Sequence, residues 1–121
     1  MKIVLDTNTV LYLLTGRLRD PLPQAQTYIS VITEIELLSY PLLSSESESA
    51  IYDFLADVSI VDLSKDIKQA TINFRRQYRF KLPDAIIVAT ACHLNAELLT
   101  NDIKLLKIAG LSVRALPLKD D

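Results

Sequence analysis

Four acidic residues of this chain stand far apart in sequence, each at the edge of an apolar stretch. They are Asp6 in KIVLDTNTVLYLL, Glu36 in ISVITEIELLSY, Asp84 in LPDAIIVATACHL and Asp102 in ELLTNDIKLLKI. A carboxylate taken out of water is costly on its own, and several brought to one point repel each other as well. A hard divalent cation, Mg²⁺ or Mn²⁺, offsets both effects, because it takes oxygen ligands and keeps several waters. If the four acids converge, a water on such an ion loses its proton more easily and can attack phosphorus in line, and a second ion could stabilise the leaving oxygen. That chemistry needs no nucleophilic Ser or Cys and no His. The expectation is a metal-dependent phosphodiester hydrolase in which Asp6, Glu36, Asp84 and Asp102 hold the metal and carry the reaction.

Each acid also has a plainer structural role. Asp6 and Asp102 follow short apolar runs and stand where a helix N-cap would sit. Asp84 opens the most apolar helix of the chain, where a first-turn acid complements the helix dipole. Glu36 could be a solvated surface residue. At ~100° per residue it shares a face with Ile32, Thr33 and Tyr40, while Glu34 lies nearly opposite, so only one of the two glutamates can face a given site. Glu36 is the choice because apolar neighbours flank it closely. Thr7, Asn8, Thr100 and Asn101 offer short polar side chains beside the acids and are expected to orient ligands and waters, or to serve the turns themselves.

The elements that must position these residues alternate. Lys2 to Leu5 reads as a buried parallel strand, and Thr7 to Leu14 has helical spacing that Gly16 ends. A polar connection with Pro21 and Pro23 follows. Tyr28 to Val31 is a second strand, running into a helix from about Ile32 to Ser39 that Pro41 stops. Ser44 and Ser45 with Glu46 and Glu48 start a helix to about Val58. Ser59 to Leu63 is a strand, and Ser64 caps a long amphipathic helix through Tyr78. Pro83 opens the apolar helix where its missing N–H matters little. Glu97 to Thr100 is a strand, Asp102 to Ile108 a helix with Gly110 as its C-terminal cap, and Leu111 to Leu116 a final strand. Strand and helix in alternation imply an α/β fold with a parallel sheet and helices on both faces.

Composition sets bounds. The chain has 121 residues, 50% hydrophobic and 23% charged, which fits a single domain over 1–121 with one proper core. No apolar stretch approaches the ~20 residues that span a bilayer, so no membrane association is expected. The mature chain is expected to begin at Met1, because the apolar run there is too short for a signal peptide. One cysteine allows no internal disulfide and suits a reducing cytoplasm; one Cys and one His cannot build a zinc centre of the usual kind. The net charge of −2 would count against nucleic-acid binding, but four acids confined to one cleft would leave the remaining surface mildly basic.

Taken in order, IVLDTN, ISVITEIELL, LPDAIIVATA and LLTND resemble the PIN domain family over essentially the whole chain, and within it the short VapC-type toxins of bacterial toxin–antitoxin pairs. The resemblance implies a three-layer sandwich around a parallel sheet and an acid cluster binding Mg²⁺ or Mn²⁺. It implies endoribonuclease activity on single-stranded RNA, a homodimer, and silencing by a co-expressed antitoxin. Carried over residue by residue, Asp6 is the first acid, Glu36 the glutamate before Leu37, Asp84 the acid opening the apolar helix and Asp102 the acid two residues after Thr100. This chain departs from the pattern in having Ser39-Tyr40-Pro41 where many relatives have a glycine after the Glu-Leu helix, which alters the loop at 40–45.

Positive charge gathers before Asp84 in Arg75, Arg76, Arg79 and Lys81. These could guide an RNA backbone, although cations at a helix end complementing its dipole is the blander account. His93 has no visible partner for proton transfer, and Cys92 reads as a small core residue. Tyr28, Tyr40 and Tyr52 read as core-edge residues. Three rival classes fit less well. A phospho-receiver would need an acid pair after the first strand, where the chain has Asp6-Thr7, although Asp62 could pose as its phosphoacceptor. A haloacid-dehalogenase-like phosphatase would need Asp at position 8, which is Asn8. A catalytically silent PIN-like binding module differs from the enzyme only in failing to cut RNA.

Overall fold

The computed structural model describes residues 1–120. Five strands and six helices alternate along them: β1 (Lys2–Leu5), α1 (Thr7–Leu14), β2 (Gln26–Ser30), α2 (Val31–Leu38), α3 (Ser45–Asp57), β3 (Ser59–Val61), α4 (Lys65–Tyr78), α5 (Leu82–Leu94), β4 (Glu97–Leu99), α6 (Ile103–Leu106) and β5 (Val113–Arg114). All pairings are parallel and the sheet order is β3-β2-β1-β4-β5. The chain therefore builds outward from β1 to β3, then returns to the other side of β1 to place β4. The carboxyl ends of β1 and β4 flank the point where strand order reverses, the place at which open α/β sheets leave a crevice.

Side-chain alternation along the strands makes two cores. Ile3 and Leu5 of β1 point to one face and pack with Ile29, Leu99, Val10 of α1, Leu37 of α2 and Ile51 of α3. Val4 points to the other and packs with Leu98, with Ala85, Val88 and Ala91 of α5, and with Leu105 of α6. Ile3, Val4 and Leu5 are all fully buried, each worth roughly 1.5–3 kcal/mol. A one-residue slip of β1 would exchange both sets, so the register that sets Leu5 opposite Leu99 is strongly specified. This is the expected three-layer sandwich. In α5 every position from Ala85 to Ala91 is buried, as a helix with so little polar content requires.

Caps set the helix boundaries. Asp6, Ser30, Ser44, Ser64 and Asp102 each stand before a helix, with the side chain accepting an N–H of the first turn. The Ser30 hydroxyl accepts from Ile32 N–H at 3.1 Å, so β2 ends at Ser30 rather than running on to Val31. The expected last strand, 111–116, shrinks to Val113–Arg114, and α6 is a single turn closed by Lys107. Gly110, expected as its cap, instead takes φ +78 in the turn further on. The cause lies in Asn101, whose side chain donates to Leu116 O at 3.0 Å and accepts from Leu116 N–H at 2.8 Å. These bonds satisfy the Leu116 backbone in place of a longer ladder.

Cys92 was expected in the core and is exposed. Continuous burial in α5 stops at Ala91, and Asn95 in left-handed conformation ends the helix, so its last turn emerges from the sandwich. Asn101→Ala should cost about 1–3 kcal/mol in urea unfolding and speed amide exchange at Leu116. Unchanged protection at Leu116 would show that the terminal segment is held by something else.

Candidate active site

Asp6 is only 6% exposed, and both of its carboxylate oxygens are engaged. Oδ1 accepts from Thr9 N–H at 2.8 Å, capping α1. Oδ2 accepts from the Thr100 hydroxyl at the end of β4. The Thr9 hydroxyl donates to Leu99 O at 3.1 Å, tying the first turn of α1 to β4. Thr100 Oγ1 also accepts from Asp102 N–H at 3.0 Å, so one hydroxyl links the acids that follow β1 and β4. The Asp102 side chain accepts from Lys104 N–H at 2.9 Å, as the cap of α6.

Glu36 reaches the same place from α2. Its Oε1 accepts from the Thr7 hydroxyl at 2.7 Å, and Thr7 Oγ1 lies 3.1 Å from Thr33 Oγ1. Thr33 is fully buried one turn before Glu36, so the threonine pair fixes which way the glutamate faces. Asp84 enters on the first turn of α5, after Pro83, and is half-buried. No hydrogen bond to its carboxylate is found among the described residues. Asp6, Glu36, Asp84 and Asp102 line one cleft of about 120 Å³ together with Thr7, Asn8, Tyr40 and Ile87.

The electrostatics of the cleft appear at Asp84, whose carboxyl is pushed above its ordinary value. Burial is the largest cause, followed by the negative charges of Asp102, Asp6 and Glu36, with Lys81 acting against them. One acid therefore feels the other three, which scattered caps would not produce. Among the described residues, no three Asp, Glu, His or Cys side chains close tightly enough to hold a metal ion. The carboxylates face one cleft without forming a finished ligand shell, two of them turned toward threonine hydroxyls.

Of the polar residues expected to assist, Thr7 and Thr100 bond directly to Glu36 and Asp6, Asn8 is exposed on the cleft wall, and Asn101 is spent on Leu116. Sequence reasoning assigned no site role to Tyr40 or Ile87, although both spacings carried a signal: Tyr40 stands four residues after Glu36 and Ile87 three after Asp84. The basic group divides. Arg75 Nε donates to Phe80 O at 3.2 Å and braces the α4–α5 turn, and Arg76 is exposed on α4. Arg79 and Lys81 line a second cleft of about 550 Å³ that shares Asp84 with the first and is joined from the far side by Lys104 and Lys107.

The profile of the PIN domain family matches residues 3–111. Among solved structures, a toxin–antitoxin complex from Klebsiella pneumoniae is 32% identical, with a TM-score of 0.74, over 90% of this chain and 94% of that one. VapBC2 from Rickettsia felis, bound to a DNA fragment from its promoter, has a TM-score of 0.82 at 23% identity, over 97% of this chain and all of the other. VapBC-1 from nontypeable Haemophilus influenzae has a TM-score of 0.75 at 24% identity, over 95% and 98%. No match was found among curated proteins.

Because the folded pKa of Asp84 is raised, its contribution to stability is complete below the unfolded value, near 3.8, and is lost as pH rises through the folded one. Metal-free Asp84→Asn should therefore melt a few degrees above the parent at pH 7, the gap closing as pH falls toward 4. A variant that melts lower at pH 7 would mean that the charged carboxylate is favourably held.

Proposed function

Since the chain belongs to the PIN domain family, we propose that it is a Mg²⁺- or Mn²⁺-dependent endoribonuclease that cleaves single-stranded RNA. The observation that carries the reading is geometric: Asp6, Glu36, Asp84 and Asp102 line one cleft at the reversal of strand order. An Asp at such a spot with no hydrogen-bond donor facing it is poorly suited to a purely structural role. It is well suited to meeting a cation.

The donor chemistry fits a hard divalent ion: four carboxylates and no sulfur or imidazole. Asp6, Asp84, Asp102 and Glu36 would hold it. When bound, such an ion neutralises the clustered charge and supplies the Lewis acidity that lets water lose a proton near neutral pH. The chain's own residues do the rest. Thr100 and Thr9 N–H fix Asp6, and Thr7 fixes Glu36, so neither carboxylate has to be ordered during the reaction. Asn8 and Tyr40 border the same space and can contact the substrate's polar groups.

The biological role that agrees with this reading is the toxin of a toxin–antitoxin pair, silenced by a cognate antitoxin and working as a homodimer in the cytoplasm. Support comes from the 32%-identical chain of a toxin–antitoxin complex and from the VapBC neighbours. No helix of the chain is long and apolar enough to cross a membrane.

The test is cleavage of a mixed single-stranded RNA with Mg²⁺, Mn²⁺ or EDTA, beside Asp6→Asn and Asp84→Asn. Cutting should require the metal and fall at least 100-fold in either variant, since loss of an outer partner to a metal ligand alone typically costs 10–100-fold. A folded protein that binds RNA but never cuts it, with either metal, would instead identify a silent binding module.

A further inference from the structure

Resting on the ribonuclease reading, we infer that the second cleft, between the α4–α5 turn and α6, is a subsite for the single-stranded RNA flanking the cut, and that Lys104 and Lys107 hold its phosphates. The cleft shares Asp84 with the acid cleft, so a strand passing over the carboxylates runs directly into it. Its rim carries four cations, Arg79 and Lys81 on one side and Lys104 and Lys107 on the other. All four are exposed, and none is spent in an ion pair among the described residues, where the pairs are Arg19–Asp20 and Arg114–Glu97.

The wall between them is aromatic. Tyr78 lies nearly parallel to Phe80, with ring centroids 5.1 Å apart and planes 6° apart, and Phe74 stacks behind it. Phe80 is buried and Tyr78 is half-buried, so the stack is braced from within and presents the tyrosine to the cleft. The turn that shapes this wall is held by Arg79 in left-handed conformation, φ +58, and by the bond from Arg75 to Phe80 O. Cations standing beside the acid cleft are what the backbone of a strand leaving the carboxylates would meet, and they would neutralise its phosphates. An acidic polypeptide could use the same cations, but a strand cut at the carboxylates has to continue past Asp84 into this cleft, and that continuity favours RNA. Lys104 lies on α6 and Lys107 is its C-cap, and both line this cleft.

The experiment uses non-cutting Asp6→Asn protein at fixed Mg²⁺ and measures binding of a single-stranded oligoribonucleotide by fluorescence anisotropy across a KCl series. Adding Lys104→Ala and Lys107→Ala should weaken binding roughly 20-fold at ~0.1 M salt and make the log–log salt slope shallower by about 1.4, two contacts' worth. Lys65→Ala with Lys68→Ala, about 20 Å away at the other end of α4, should change neither. An unaltered affinity and slope in the α6 variant, with cleavage by the wild type intact, would overturn the subsite and leave the ribonuclease standing. A parent that neither binds nor cuts RNA would remove both. Tighter binding of an oligoglutamate than of RNA of equal charge would reassign the cleft to an acidic protein segment.

Discussion

The arrangement rests on one buried carboxylate. Asp6 stands between the central strand and α1 as the helix cap, and its two oxygens tie together the first turn of α1 through Thr9, the end of β4 through Thr100, and, through the same Thr100, the backbone of Asp102. Burying a charge there is tolerable because charge-assisted bonds from an N–H and a hydroxyl replace its water. The bonds also fix the spacing between the two strand ends at which acids emerge. The remaining acids are then brought in by packing: Glu36 by the threonine pair on α1 and α2, and Asp84 by the burial of α5 against the sheet.

Stability and function pull in opposite directions at this point. The helix N-terminus at α5 favours an acid at Asp84, yet burial and three neighbouring carboxylates disfavour its ionised form. A purely structural site would resolve the conflict with a donor to Asp84, and the described residues provide none. Lys81 alone acts against the excess charge, from an exposed position where screening weakens it. The unresolved charge is what would draw a divalent cation on the proposed reading, since such an ion would remove a repulsion already present in the folded chain.

Much of this was legible in residues alone, for identifiable reasons. The strands were readable because β1 and β4 are buried on both faces and so appear as unbroken apolar runs. The helix starts were readable because Ser44, Ser64 and Asp6 satisfy orphan N–H groups that only a few side chains can satisfy. What could not be read was set by contacts distant in sequence. Nothing near Asn101 predicts that its amide will engage Leu116 and cut the final strand to two residues. Cys92 sits in apolar sequence yet is exposed, because the sequence does not say where α5 outruns the elements beside it. Tyr40 was placed on the correct helical face, but the use of that face depended on α1 packing across it.

Net charge gives the least guidance of all. The chain is acidic overall, at −2, yet four of its carboxylates are gathered in one small cleft, and four cations without an ion pair among the described residues stand around the next. The two clefts meet at Asp84, so acids and cations face a strand on either side of a single side chain. On the proposed reading, an anionic strand approaching this face would be repelled by the acids until a cation occupied them, and attracted throughout by Lys104 and Lys107. Affinity for the strand and cleavage would then arise in different places, and a charge change at Lys104 or Lys107 would alter the first without touching the carboxylates proposed to govern the second.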